Sequence, residues 1–230
     1  MSDLIIPKHI GYIIDGNRRW AKQHGLPTYE GHLAGYNAIS EIALATFKSG
    51  VEYVSAYIFS TENWKRSEDE VSKLMGLVLR LLTSDLPIFE KNNIKLRILG
   101  SRDNVDKRIC KAIDNAEAAT ANNTAGTLAI CFNYGGQLEI VDAIKKVIQS
   151  GVSADDVDID LISQNLYAPE VPPLDLVVRT SGEQRISNFM LWRLAYSEIM
   201  FIEKFWPDMN KGDVAEIIQQ YSQRSRRFGG

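Results

Sequence analysis

The chain is poor in residues that build cross-links or soft-metal sites: 230 residues hold two cysteines, Cys110 and Cys131, and three histidines, His9, His24 and His32. Two thiols are too few for a disulfide framework and lack the paired spacing of a zinc site, so both read as reduced and buried. The histidines form no close helical pair, which argues against a catalytic zinc. No apolar run is long enough to span a bilayer, and Met1 to Lys8 does not resemble a signal peptide, so the expectation is a cytoplasmic protein. An excess of positive charge is also missing. A formal net charge of −3 and a pI near 5.7 leave no footprint for nucleic acid, so the arginines must serve local sites. Neither the Rossmann glycine pattern nor a P-loop with its lysine occurs, which disfavours a nucleotide-binding enzyme such as a kinase.

What is present is the composition of an ordinary folded domain, 45% hydrophobic and 24% charged, without repeats, low-complexity tracts or a dividing linker. We expect one domain over residues 1–230. Five short β-rich runs, Ile10–Ile14, Val51–Phe59, Ile94–Leu99, Thr127–Phe132 and Leu174–Val178, alternate with longer helical patterns. That alternation predicts an α/β fold with a mostly parallel sheet of about six strands flanked by helices. The first crossover shows helical spacing at Ile39, Ile42, Ala43, Thr46 and Phe47, with Gly50 as its stop. Val71, Leu74, Met75, Val78, Leu81, Leu82 and Phe89 form a long apolar stripe, kinked near its end by Pro87. By periodicity alone the stripe is ordinary core. Lys111–Thr120, Gly136–Gln149 and Asp213–Arg224 complete the helical set.

Residues 151–160 are rich in aspartate, but Ile159 stands where an Asp-Asp-x-x-Asp magnesium motif needs its third acid. Ser153 followed by Asp155 and Asp156 reads instead as a capped helix start.

Three other polar blocks follow predicted strands, where open α/β sheets collect ligands. Asp15-Gly16-Asn17-Arg18-Arg19-Trp20 offers one carboxylate able to hold Mg²⁺, a glycine permitting close approach, and several donors at a short helix start. The same residues also read as an Asp-Gly turn with an asparagine cap. Ser60-Thr61-Glu62-Asn63-Trp64-Lys65-Arg66 precedes a predicted Ser67/Glu70 capping box, which explains none of its own polar residues. In the third block Arg179, Arg185 and Ser187 can present two guanidinium forks and a hydroxyl to one diphosphate. Glu198, in an apolar stretch, needs either a cation or a surface position.

Taken in order, these residues resemble the cis-prenyltransferase family, whose best-known members are undecaprenyl diphosphate synthases. The likeness runs almost end to end. It rests on His9-Ile10-x-x-Ile13-x-Asp15-Gly16-Asn17, Gly31-His32-x-x-Gly35, Phe59-Ser60-Thr61-Glu62-Asn63-Trp64, Asn133-Tyr134-Gly135-Gly136, Asp175-Leu176-x-x-Arg179-Thr180-x-Gly182-Glu183, Arg185-Ile186-Ser187-Asn188-Phe189 and Trp206-Pro207.

The resemblance implies condensation of isopentenyl diphosphate onto an allylic diphosphate such as farnesyl diphosphate, each new double bond being cis. Asp15 would hold Mg²⁺ and help the allylic diphosphate leave, with Glu198 joining the metal shell. Gly16, Asn17, Arg18 and Arg19 would cradle that diphosphate beside Trp20 and His32. Arg179, Arg185, Ile186 and Ser187 would take isopentenyl diphosphate. Asn63, with Ser60, Thr61, Glu62, Trp64 and Arg66 nearby, would position the reacting groups and assist proton loss. The resemblance further implies an apolar tunnel walled by the Val71–Phe89 stripe and a homodimer to which Arg227-Phe228-Gly229 contributes. A lipid product would bring transient contact with a membrane surface. Arg18 stands where many bacterial relatives have glycine, and Thr28 where they have arginine, so the allylic starter is open. The alternatives are a non-catalytic subunit of a heteromeric enzyme and a shorter-chain Z-prenyl diphosphate synthase.

Overall fold

In the computed structural model, which describes residues 4–224, six parallel strands form one sheet in the order β3-β4-β2-β1-β5-β6. The strands are β1 (His9–Ile13), β2 (Tyr53–Ser60), β3 (Ile94–Leu99), β4 (Gly126–Tyr134), β5 (Leu176–Arg179) and β6 (Glu198–Phe201). Both faces are covered, which is why β1, β4 and β5 read as nearly unbroken apolar runs. One face packs against α2 (Thr28–Lys48), α3 (Glu68–Leu82), α5 (Lys107–Ala119) and α8 (Lys211–Ser222), burying Ile39, Ile42, Val78, Leu81, Ile113 and Ile217. The other lies under the segment carrying Val171, Leu174, Phe189 and Met190, with α6 (Gly136–Gln149) and α7 (Ile159–Asn165) beside it.

The topology fixes where a ligand can sit. From β1 the chain runs through α1 (Asn17–Gln23) and α2 to β2 on one side, whereas β5, on the other side of β1, leads outward to β6. Strand order therefore reverses between β1 and β5, the position where open α/β sheets leave a crevice at their carboxyl ends. Residue register brings Ile13 level with Arg179 and Tyr57 there.

Several local expectations change. The stripe from Val71 to Phe89 is not one kinked helix: α3 ends at Leu82, and Pro87 sits in the first turn of a separate α4 (Leu86–Lys91), where a missing N–H costs nothing. Ser67 accepts the Glu70 N–H, but the Glu70 carboxylate is taken by His32 and Arg66, so only half the predicted capping box forms. In the acidic stretch residues 154–156 make a single tight turn, and Asp158 caps α7 by accepting from Leu161 N–H. The predicted stop at Gly50 holds, its φ of 95° lying where glycine is favoured.

His9 shows how a buried polar group is satisfied. The Pro172 carbonyl can only accept, so Nδ1–H donates to it at 2.9 Å and Nε2 is left to accept the Ser55 hydroxyl at 2.8 Å. Burial, outweighing the Pro172 and Pro173 carbonyls, lowers its pKa from 6.5 to about 4.

Candidate active site

Asp15 leaves the carboxyl end of β1 and is fixed by backbone bonds. Its N–H donates to the Thr180 hydroxyl at 2.9 Å, and its carbonyl accepts from that hydroxyl and from the Trp206 N–H. Gly16 follows at φ 106°, with the Phe205 ring 2.7 Å from where a methyl group would stand. A side chain is thus excluded twice over. The Asp15 carboxylate takes the Gly16 N–H at 2.7 Å and Arg179 Nη2 at 2.8 Å, with Arg19 Nη2 at 3.4 Å. Burial opposes its ionisation, but the bond and charge of Arg179, then Gly16 N–H and Arg19, prevail and hold its pKa below the ordinary carboxylate value.

Helix α2 approaches this loop through its glycines. A methyl group at Gly31 would lie 2.1 Å from the Asn17 carbonyl oxygen, and one at Gly35 would lie 2.4 Å from Asn17 Oδ1. The Gly31-x-x-x-Gly35 spacing is therefore the contact face of two helices. It presents His32 next to the loop, where His32 Nε2 and Arg66 Nη1 each meet Glu70 Oε1 at 3.0 Å. Trp206 completes the brace by donating its indole N–H to the Gly35 carbonyl at 2.8 Å.

On the far side, Arg179 is almost wholly buried. Its Nη1 donates to the Arg185 carbonyl at 2.6 Å and to Ser187 Oγ at 2.7 Å. Asn63 is held by the backbone, its Oδ1 accepting the Ser60 N–H at 3.0 Å, so the group left to meet a ligand is its NH₂.

These residues line two adjoining hollows. The first, of about 450 Å³, has a polar mouth of Asp15, Gly16, Asn17, Arg18, Arg19 and His32, and apolar depth formed by Ile39, Phe59, Leu74, Leu77, Val78 and Leu81. The second, of about 520 Å³, is lined by Ser60, Glu62, Arg179, Arg185, Ser187 and Asn188. Ile14, Asp15, Tyr57, Asn63 and Arg66 belong to both and form the wall between them. A register irregularity between Tyr57 and Ser60 turns successive residues of β2 towards this wall, as bulges beside binding sites do. The first hollow fits an amphiphile with an anionic head; the second fits a compact anion.

Two buried polar atoms without partners, Asn17 Oδ1 and Arg179 Nε, lie on residues lining the first and second hollow respectively. Such groups are places where a ligand, an ion or water can complete the bonding. The amide orientation of Asn17 is interchangeable, so either its oxygen or its NH₂ can face that ligand.

Not every expected residue arrives. Trp20, Thr61, Trp64 and Ile186 line neither hollow. The Trp20 indole N–H donates to Asp208, that of Trp64 to Asn133 Oδ1 at 2.8 Å, and Ile186 packs beneath the sheet. Glu198 is the largest departure. It pairs with Leu176, three residues before Arg179, which puts it about 10 Å below the carboxyl rim, and its carboxylate takes Arg224 Nη1 at 2.8 Å. Within one chain it does not meet Asp15. Tyr57, Glu70 and Glu183 emerge as site residues that the pattern did not single out: a wall, the anchor of His32 and Arg66, and a partner of Arg19 and Arg185. Among the described residues no three His, Cys, Asp or Glu side chains cluster to hold a metal. Asp15 is the carboxylate of the shared wall, and one carboxylate beside diphosphate oxygens is the donor set Mg²⁺ favours.

Comparisons with known proteins bear on the chain as a whole. Residues 13–229 match the prenyltransferase family model described as putative undecaprenyl diphosphate synthase. The chain is 45% identical over 224 residues to an isoprenyl transferase of Neisseria meningitidis serogroup A, covering 97% of this chain and 90% of the relative. It is 43% identical over 229 residues to a ditrans,polycis-undecaprenyl-diphosphate synthase, (2E,6E)-farnesyl-diphosphate specific, of Aliivibrio fischeri, covering 98% and 89%. Among solved structures it resembles lavandulyl diphosphate synthase from Lavandula x intermedia in complex with dimethylallyl diphosphate. The TM-score is 0.94 at 32% identity, over 98% of this chain and 99% of that one.

Proposed function

The chain belongs to the family of putative undecaprenyl diphosphate synthases, and we propose that it condenses isopentenyl diphosphate with an allylic diphosphate to build a Z-polyprenyl diphosphate. The observation that carries this reading is the pair of hollows sharing the Asp15–Asn63–Arg66 wall, one with an apolar interior and one without. The allylic substrate occupies the first, its hydrocarbon against Leu74, Leu77, Val78 and Leu81 and its diphosphate among Asn17, Arg18, Arg19 and His32. Isopentenyl diphosphate occupies the second, on Arg179, Arg185 and Ser187. Two anions held side by side bring the alkene of one to the allylic carbon of the other, which removes most of the entropic cost of their meeting.

As the new carbon–carbon bond forms, the allylic C–O bond breaks, negative charge grows on the departing diphosphate, and the C2 proton of isopentenyl diphosphate passes to that diphosphate or to water as the new double bond forms. Arg18, Arg19 and the N–H groups at the start of α1 meet that charge. Asn63 donates from the shared wall, and with its oxygen occupied by Ser60 it acts as a hydrogen-bond donor. Asp15 would hold Mg²⁺, which supplies neutralisation of diphosphate charge when bound. Glu198 takes no part in that site within one chain.

The farnesyl starter follows the name of the Aliivibrio fischeri relative, and Arg18 supplies a positive charge at the mouth where Thr28 carries none. A homodimer is supported by an apolar stripe facing outward from α6 and the following segment, through Val141, Ile144, Ile148, Val152, Val157 and Ile159. The C-terminal Arg227-Phe228-Gly229 lies outside the described residues. No helix among the described residues is long and apolar enough to cross a membrane. A lipid product gives a cytoplasmic protein reason to touch a membrane surface transiently.

The test is elongation of farnesyl diphosphate by radiolabelled isopentenyl diphosphate with mass analysis of products, with and without EDTA. Polyprenyl diphosphates that disappear on chelation and return with excess magnesium are expected. Absence of any product from the purified chain would overturn the reading in favour of a non-catalytic subunit. Products of one or two condensations would identify a shorter-chain synthase.

A further inference from the structure

Asn188 is bonded to two separate elements, the start of α6 and the turn that carries Asn63. Its backbone carbonyl accepts the Gly136 N–H at 2.7 Å, and its Oδ1 accepts the Gln137 N–H at 2.9 Å. Helix α6 receives no side-chain cap from Gly135, so these bonds cap it from fifty-one residues away in sequence. The remaining group, Nδ2, donates to Glu62 Oε1 at 3.1 Å. Glu62 immediately precedes Asn63 in the tight turn of Thr61–Lys65.

The approach is too close for side chains at the glycine pair between them. A methyl group at Gly135 would lie 2.8 Å from Asn188 Nδ2 and 2.9 Å from Thr61 Oγ1, and one at Gly136 would lie 3.0 Å from the Asn188 carbonyl oxygen. The backbone at the junction is itself unusual: Ser187 and Asn188 have consecutive φ values of 46° and 64°. Asparagine tolerates that region and serine much less, so the conformation persists only where surrounding bonds impose it. Ser187 Oγ is in turn the acceptor that receives Arg179.

We propose that Asn188 is a positioning residue that fixes the Arg185–Ser187 diphosphate loop at a set distance from Asn63. The inference rests on the reading of the second hollow as the isopentenyl diphosphate subsite. Cut the Glu62 bond, and the loop keeps its helix cap but loses its registration with the turn across the hollow. The first hollow shares none of the three bonding partners, Gly136, Gln137 and Glu62, and Asn63, which faces both hollows, stays held by the Ser60 N–H, so the loop moves rather than the wall and the two substrates should respond differently.

Two substitutions separate positioning from mere support. Asn188→Asp retains an acceptor for Gln137 N–H at a helix N-terminus, where a carboxylate is favoured, but sets like charge against Glu62. Asn188→Gly keeps the backbone conformation and removes both side-chain bonds. Expected for both is a KM for isopentenyl diphosphate raised about tenfold, the scale of one positioned hydrogen bond, with the farnesyl diphosphate KM within twofold of the parent. The Asp variant should do so at an unchanged or higher melting temperature. If it restores both stability and KM, or if both KM values move together, Asn188 is only a helix cap and the proposal falls. A parent enzyme that fails to bind isopentenyl diphosphate by calorimetry would instead remove the subsite reading on which the proposal stands.

Discussion

Replacing Asp15 by asparagine keeps the shape of the site and removes one negative charge from between two arginines. The Gly16 N–H can still find an acceptor oxygen, and Arg179 Nη2, 2.8 Å away, can still reach the side chain. The change therefore weakens one charge-assisted bond on a buried guanidinium by about 1–2 kcal/mol. The contact with Arg19 adds little, because at 3.4 Å it joins a side chain that is 44% exposed and screened by water. For a chain of this size such a loss lowers Tm by about 2–8 °C. Against a total stability of roughly 5–15 kcal/mol, the variant stays more than ~99% folded at room temperature. Turnover should nonetheless fall by at least ~10²-fold, the range for losing a major electrostatic contributor to a transition state. Unfolding cannot account for that factor. The assay is radiolabelled elongation beside a thermal melt on the same preparation. Turnover within threefold of the parent would refute the assignment of Asp15 to the chemistry. A Tm drop beyond about 15 °C would make Asp15 chiefly a structural residue.

Gly35→Ala drives a methyl group into Asn17 and should cost about 1–3 kcal/mol by overpacking. It should also raise the allylic KM about tenfold while sparing that for isopentenyl diphosphate, if one hydrogen bond to the diphosphate is lost; steady-state kinetics with each substrate varied in turn decides it. Below pH 6.5 the unfolded chain protonates His9 while the folded chain resists until about pH 4, so stability falls as the pH is lowered through that window. At 1.36 kcal/mol per pH unit the loss amounts to about 3 kcal/mol, read by urea unfolding at a series of pH values, and His9→Gln should flatten it. A variant with the parent's slope would assign the effect elsewhere. Asp15 works in the same direction at lower pH: its depressed pKa stabilises the fold above the ordinary carboxylate range and is lost as pH falls through the folded value.

Five of six strands announce themselves in the residues, β1, β4 and β5 as nearly continuous apolar runs of buried parallel strands and β2 and β3 as short β-rich segments between helical patterns. β6 does not. It is four residues long, follows irregular chain, and lies on the edge of the sheet, where Phe201 is partly exposed and Glu198 is accommodated. The shared metal of Glu198 and Asp15 is what the family resemblance implies, and the register that pairs Glu198 with Leu176, below the rim, is set by strand pairing that no local run of residues displays. Asp15 and Arg179 stand out as candidates because they sit at or just past the ends of β1 and β5, where polar residues gather. Tyr57 does not, since it reads as an ordinary strand aromatic and only the folded arrangement places it between the two hollows. Trp64 is the opposite case, a residue of a site motif whose indole in this structure packs on Phe59 and donates to Asn133.

The wall between the hollows has a consequence for anyone altering this enzyme. Because Ile14, Tyr57 and Asn63 face two chambers at once, changing any of them disturbs both partners of the condensation, and selectivity tuned there for one will be compromised by the other. Leu77 and Leu81 touch a single chamber from its deep end. Variation in them is free to reshape what the lipid tail can occupy while leaving its co-substrate untouched.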